Sequence, residues 1–196
     1  MSRPPRRGLR RPHGGVAAVI RNNVSFHTMT NLCAPDLLVL ELRDLYLLCG
    51  YVLPDGSSDW STYTEVDPEL KFGEAIAFCA ANGSKPTAAV CDTNSRIGQE
   101  NTTTSILPRT SSDNGENPRG SRFLGLCEQN HLEILNGTSF EKSSPGALTC
   151  FQPNGSSVVD YALLSRSHLG MLRPRSIGDA TPLHNPSTNA GATRTN

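Results

Sequence analysis

The stretch "AAVCDTNSRIG", residues 88–98, reads as a strand of small residues that ends on an acid. Thr87 to Asp92 is a short apolar run of the kind that forms a buried strand, and the chain turns polar from Thr93 onward. Asp92 and Asn94 therefore leave the end of that strand two residues apart, with Arg96 close behind. A single Asp-x-Asn is more often a turn cap than a site of chemistry, because both side chains readily bond to their own backbone. What this one does depends on which other polar residues reach the same place.

Working outward, Gly15 to Arg21 is a short apolar run closed by Asn22 and Asn23 and is expected to be a strand. Leu37 to Leu42 and Tyr46 to Leu53 are two more, joined by Arg43-Asp44-Leu45 as a hairpin, and their near-continuous apolar character predicts burial on both faces. Asp67-Pro68-Glu69 supplies a helix cap with Pro in the first turn. Leu70, Ala75, Ile76 and Phe78 follow at helical spacing until Asn82-Gly83 stops them. Thr93 to Pro118 reads as a long polar loop and Arg119 to Asn130 as an amphipathic helix. Leu132 to Leu135, Ala147 to Phe151 and Val158 to Leu164 are further strands, the last two joined through Pro153-Asn154-Gly155 as a hairpin. Strands outnumber helices, which predicts sheets packed face to face with helices outside.

With 196 residues the chain fits one domain, and 17 Gly with 14 Pro make loops abundant. Net charge is zero but uneven: Arg3, Arg6, Arg7, Arg10 and Arg11 form a basic arm in front of a mildly acidic body. Such an arm either contacts phosphates or serves as a nuclear address, or is an unstructured tail. No apolar run approaches the roughly 18 residues a membrane span needs, and the start lacks the apolar core of a signal peptide. The expectation is a soluble, intracellular protein without membrane contact, the nucleus being one location. Cys33, Cys49, Cys79, Cys91, Cys127 and Cys150 stand far apart inside apolar runs and read as reduced core residues rather than a zinc site or disulfide framework. The Asn-x-Ser/Thr triplets at Asn82, Asn101, Asn136 and Asn154 are then simply turn-rich sequence.

Several polar residues fall where strands end or where a strand should be apolar. Tyr51 closes "LLCGY", Asp160 interrupts "SSVVDYALL", and Asp179 precedes a Pro turn. A carboxylate inside an apolar strand costs several kcal/mol unless something meets it. Three carboxylates, an amide and a phenol converging on one strand end could hold a hard cation and a phosphate.

Five stretches, with a sixth in altered form, resemble the endonuclease/exonuclease/phosphatase superfamily with its DNase I-like fold, and within it the endonuclease domains of non-LTR retroelements. They are, in order, "GGVAAVIRNNV", "LYLLCGYVLPDGS", "AAVCDTNSRIG", "RGSRFLGLCEQNHLEILNGT" and "SSVVDYALLS". "GDATPL" follows as an altered form of the closing SDHxPL motif, and the resemblance covers Gly14 to Leu183. It implies an α/β, four-layer αββα sandwich of two packed mixed sheets, incomplete at the N-terminus. The expected organisation is a basic disordered arm over 1–13, the domain over 14–184 and a disordered tail over 185–196.

The resemblance also implies roles. Asp92 and Asn94 match the residues that activate the attacking water and bind the scissile phosphate, and Tyr51 matches a tyrosine that helps hold that phosphate. Asp160 matches the Asp that orients a catalytic His, and Asp179 an Asp near the metal. The implied reaction is hydrolysis of a phosphodiester assisted by Mg²⁺ or Mn²⁺, with nucleic acid, DNA first, as partner. Two departures weaken that expectation. No acidic residue precedes Asp36, so the Glu that is the family's main metal ligand is missing, and Gly178-Asp179-Ala180 lacks the final His. His184 stands too far along, beyond Pro182, to replace it. Activity is therefore expected to be weak or lost, the alternative being a non-catalytic remnant that binds nucleic acid or a protein. Two missing strands would also leave an exposed sheet edge able to pair with another chain.

Overall fold

The apolar runs of the sequence become the central strands of one sheet. The computed structural model describes residues 15–54, 67–141, 146–153 and 155–172. In chain order it contains β1 (Phe26–Thr28), β2 (Leu37–Leu42), β3 (Tyr46–Tyr51), α1 (Pro68–Ala81), β4 (Thr87–Asp92), α2 (Pro118–Gln129), β5 (Leu132–Ile134), β6 (Cys150–Gln152), β7 (Gly155–Ser157) and β8 (Asp160–Ser165). A 3-10 turn over Arg166–Met171 follows. The chain is thus α/β, with a six-stranded mixed sheet in the order β1-β2-β3-β4-β8-β5 and a second, two-stranded sheet of β6 and β7. β3 and β4 are parallel, as the intervening α1 requires, and every other neighbouring pair is antiparallel.

Three sequence expectations are corrected. Gly15–Arg21 is not a strand: Val19 stands fully exposed, and the first strand is the short edge strand at Phe26. Its backbone bonds elsewhere, the Gly15 N–H donating to Asp36 Oδ1 at 2.9 Å and the Arg21 carbonyl accepting from the Val24 N–H at 3.0 Å, and no described strand pairs with it. Second, Pro153 does not connect β8 to its neighbour. The hairpin is β6 with β7, while Val158 and Val159 turn inward and carry the chain over to the main sheet, where β8 pairs with β4 and β5. Third, burial of β2 and β3 is one-sided in β3 and incomplete in β2, not full on both faces.

Both helices lie on one face of the sheet. Asp67 caps α1, its Oδ1 accepting from the Glu69 N–H at 2.8 Å, and Gly83, with φ of +50°, ends the segment. The buried stripe is Phe72, Ala75, Ile76 and Cys79, while Leu70 and Phe78, expected inside, face outward. The Phe72 ring lies over Gly50 of β3. From α2, Phe123 stacks against Tyr161 of β8 with ring centroids 4.8 Å apart. The main core cluster includes Leu48, Cys91, Cys127 and Leu163. Of the six cysteines expected in the core, Cys79, Cys91 and Cys127 are buried, while Cys33, Cys49 and Cys150 are only partly so. On the opposite face Val90, in the middle of β4, is 49 % exposed. Among the described residues no helix is long and apolar enough to cross a membrane.

α2 is set against the loop after β4 by close contact at Gly120, where a Cβ would collide with the Arg96 carbonyl. Gly125, on the same helix, has open space where its Cβ would be. Gly120→Ala is therefore expected to destabilise the protein by about 1–3 kcal/mol through overpacking. Gly125→Ala should be neutral or stabilise by up to about 1 kcal/mol through helix propensity. Urea denaturation of the two variants reads the difference directly.

Candidate active site

Strand register brings three of the expected residues into one row. Tyr51 of β3 is the partner of Asp92 in β4, and Asp92 is the partner of Asp160 in β8. Directly paired residues share a sheet face, with Cβ atoms about 4.5–5.5 Å apart in an antiparallel pair. The row therefore presents a phenol and two carboxylates side by side across adjacent strands, on the face opposite the helices. Residues 41 and 68 positions apart from Asp92 reach it only because β3, β4 and β8 are neighbours.

Asp92 and Asp160 line a cleft of about 580 Å³ together with Val90, Ala162, Asn136 and Thr149. Tyr51 stands in the row without lining that cleft. A larger hollow of about 940 Å³ lies on the other side, between α1 and α2, and touches none of these three residues.

Partial burial pushes the Asp92 carboxyl up, and the neighbouring Asp160 adds to the shift. The Asn94 N–H and, more distantly, the Arg119 guanidinium oppose it. The result is a carboxyl raised from 3.8 to about 6. A carboxylate with that affinity for a proton is a competent general base near neutral pH.

Asn94 follows Asp92 with φ of +53°, a conformation Asn tolerates, and its N–H donates to Asp92 Oδ1 at 3.0 Å. Its Nδ2 donates to the Val52 carbonyl at 2.9 Å. One amide hydrogen is thus already engaged in tying the chain after β4 to the chain after β3. Asn117 reinforces this loop: its Oδ1 accepts from Arg96 N–H at 3.1 Å and from Gly120 N–H at 2.7 Å, and its Nδ2 donates to the Asn94 carbonyl at 3.1 Å. One side chain both caps α2 and fixes the loop that leaves the site.

Sequence reasoning missed the cation beneath this row. Arg119, in the first turn of α2, is 2 % exposed. Its Nη1 donates to the Leu53 carbonyl and, at 3.3 Å, to the Thr93 carbonyl, while Nε lies 3.4 Å from Glu69 Oε2. It joins the chain just beyond Tyr51 to the chain just beyond Asp92. The signal in the sequence was slight: an Arg beside a Gly at a capped helix start, where a basic residue normally faces water. Also missed was the order within the long loop. Arg96 pairs with Asp113 through two hydrogen bonds of 3.0 and 2.6 Å, and Asp113 also accepts from Val158 N–H at 3.1 Å. Glu133, fully buried in β5, accepts from Ser105 Oγ at 2.6 Å and pairs with Arg166 at 2.7 Å.

Asp179, expected near a metal, and His184 lie outside the described residues. Among the described residues no three His, Cys, Asp or Glu side chains gather as a metal site. Asp92 and Asp160 offer oxygen donors of the right chemistry but fall short of a protein-built site for Mg²⁺ or Mn²⁺.

No protein-family model matches the chain, and no curated protein matches it. Among solved structures the chain is similar to the endonuclease domain of TRAS1, a telomere-specific non-LTR retrotransposon. The TM-score is 0.52 at 17 % identity, over 81 % of this chain and 68 % of that one. At this identity the likeness is one of fold: the α/β arrangement seen here is that of a DNase I-like domain.

Proposed function

We propose that the row Tyr51-Asp92-Asp160 is the centre of a slow phosphodiester hydrolase acting on nucleic acid, DNA first, of the endonuclease type found in non-LTR retroelements. The observation that supports it most is the pairing of Asp92 with Asp160 in one open cleft, with the Asp92 carboxyl raised to about 6. Asp92 takes a proton from water as that water attacks phosphorus in line, and the bond to the leaving oxygen breaks as the new one forms. The leaving oxygen collects its proton from solvent. Tyr51 and the remaining Asn94 amide hydrogen serve the phosphoryl oxygens. The sequence has Ala180 where the family motif carries His, so no imidazole from that motif assists, and turnover is low. Divalent metal is part of the reading through the fold resemblance, and no step here depends on it.

A second reading, binding of nucleic acid without cleavage, is favoured by Phe151, an aromatic side chain 74 % exposed on the β6-β7 ribbon. Such rings stack on unpaired bases. Both readings predict binding; only the first predicts cleavage that depends on Asp92.

The raised Asp92 carboxyl sets the pH dependence. As a base it works only when ionised, so the rate of cleavage should climb through about pH 6 and level off above it. Cleavage of a short labelled duplex between pH 5 and 8 measures this. A profile flat across that range would remove Asp92 from the chemistry.

A further inference from the structure

Asp160 begins β8, where the chain arrives from the small ribbon and enters the main sheet. Strand pairing alone does not hold it on its outer side. The β5 ladder ends at the Ile134 and Leu163 pair, and the last main-chain bond runs from Leu135 N–H to the Ala162 carbonyl at 2.8 Å. The chain then turns away at Gly137, with φ of +76°.

Two side chains continue where the backbone stops. Asn136 Nδ2 donates to the Asp160 carbonyl at 3.2 Å, and its Oδ1 accepts from the Ala162 N–H at 2.8 Å, as a neighbouring peptide group would. From the segment before β6, Thr149 Oγ1 accepts from the Asp160 N–H at 3.2 Å and the Val159 N–H at 3.1 Å. Both residues line the same cleft as the two carboxylates. Across the sheet, Asp92 is held separately, through its place in β4 and the Val52 N–H bond to its carbonyl at 2.8 Å.

We propose that Asn136 and Thr149 are positioning residues that fix the main chain of Asp160 at its carbonyl and at its N–H, so that its carboxylate stays opposite that of Asp92. The proposal rests on the functional reading above for its meaning but not for its geometry. Neither residue touches the reacting atoms; each acts through Asp160. Asparagine is suited to its place because the site needs one donor and one acceptor on a single planar group. Threonine is suited to its own because two N–H groups require one acceptor oxygen.

The test follows the Asp92 carboxyl by ¹³C NMR titration in the full chain, alongside cleavage of labelled duplex DNA. The charged and titratable groups that act on it are Asp160 from β8 and Arg119 from α2, with Tyr51 alongside in β3. Asn136→Ala and Thr149→Val should each release Asp160 and move the Asp92 midpoint down from about 6. Cleavage should fall by about 10²-fold in kcat with KM little changed. Thr149→Ser keeps the acceptor and should leave both values at wild type. Burial is the largest cause of the raised midpoint, so a general loss of packing would lower it too. In an Asp160→Asn background the same substitutions should no longer move the midpoint if they act through Asp160, and a further fall there overturns the proposal. Either variant suffices if the other fails to fold, and an unmoved midpoint in a folded single variant also overturns the proposal. If the wild type does not cleave, the functional reading fails while the titration still decides the positioning role.

Discussion

Asp92→Asn is expected to lower phosphodiester cleavage by about 10²- to 10⁴-fold while making the protein more stable at neutral pH. The two effects have one cause. The folded state raises the Asp92 carboxyl from 3.8 to about 6, so between those values it retains a proton that the unfolded chain has released. Stability contributed by this group is present below pH 3.8, falls as pH rises through that window, and stays reduced above about 6. Asparagine carries no charge to be buried beside Asp160, and its Oδ1 can still accept from the Asn94 N–H. Urea denaturation at pH 7 should therefore show a higher midpoint for Asp92→Asn than for wild type, and the difference should vanish near pH 4. A variant that lost both activity and stability at pH 7 would point to a structural Asp.

Arg119→Ala should produce the largest loss of stability, about 2–5 kcal/mol. Its guanidinium donates to two main-chain carbonyls, Leu53 and Thr93, of which Thr93 would keep only the Ser95 Oγ donor at 3.5 Å, and a buried group left without its donor costs about 1–3 kcal/mol. Loss of the ion pair with Glu69 adds little, because Glu69 keeps Arg122 as a partner through hydrogen bonds of 2.7 and 2.8 Å. The same substitution removes a positive charge that holds the Asp92 carboxyl down, so the Asp92 midpoint should rise in Arg119→Ala, provided the variant folds. Arg119→Lys restores charge but not the geometry of a fork that reaches two carbonyls, and should recover only part of the stability. Denaturation midpoints and a ¹³C titration measure the two effects independently.

What the sequence revealed follows from local physics. β2, β4 and α1 were legible almost to the residue, because each has a clean apolar pattern bounded by turn or capping residues: Asp44, the Thr93 loop, and Asp67 with Pro68. The buried side of α1 was harder. Phe72 and Cys79 bury themselves in place of Leu70 and Phe78, and only the position of the sheet decides which side of a helix with apolar residues on several sides turns inward. Gly15–Arg21 failed as a strand because apolar content does not provide a neighbouring strand to pair with.

The candidate site divides in the same way. Tyr51, Asp92 and Asp160 were found as polar residues at strand ends and by resemblance to known motifs, and the register places them in one row. Arg119, Asn136 and Thr149 act mainly through hydrogen bonds to the main chain of distant segments. Nothing in a residue's own neighbourhood announces such a bond, which forms only once β3, β4, β5 and β8 are side by side.

Plasmid nicking tests the central claim most directly. Supercoiled DNA is incubated with the full chain or with Asp92→Ala, in Mg²⁺ at pH 7. The account predicts slow conversion to open circles by the wild type and none by Asp92→Ala. Open circles that form equally with Asp92→Ala, or plasmid that stays supercoiled with the wild type, would contradict it.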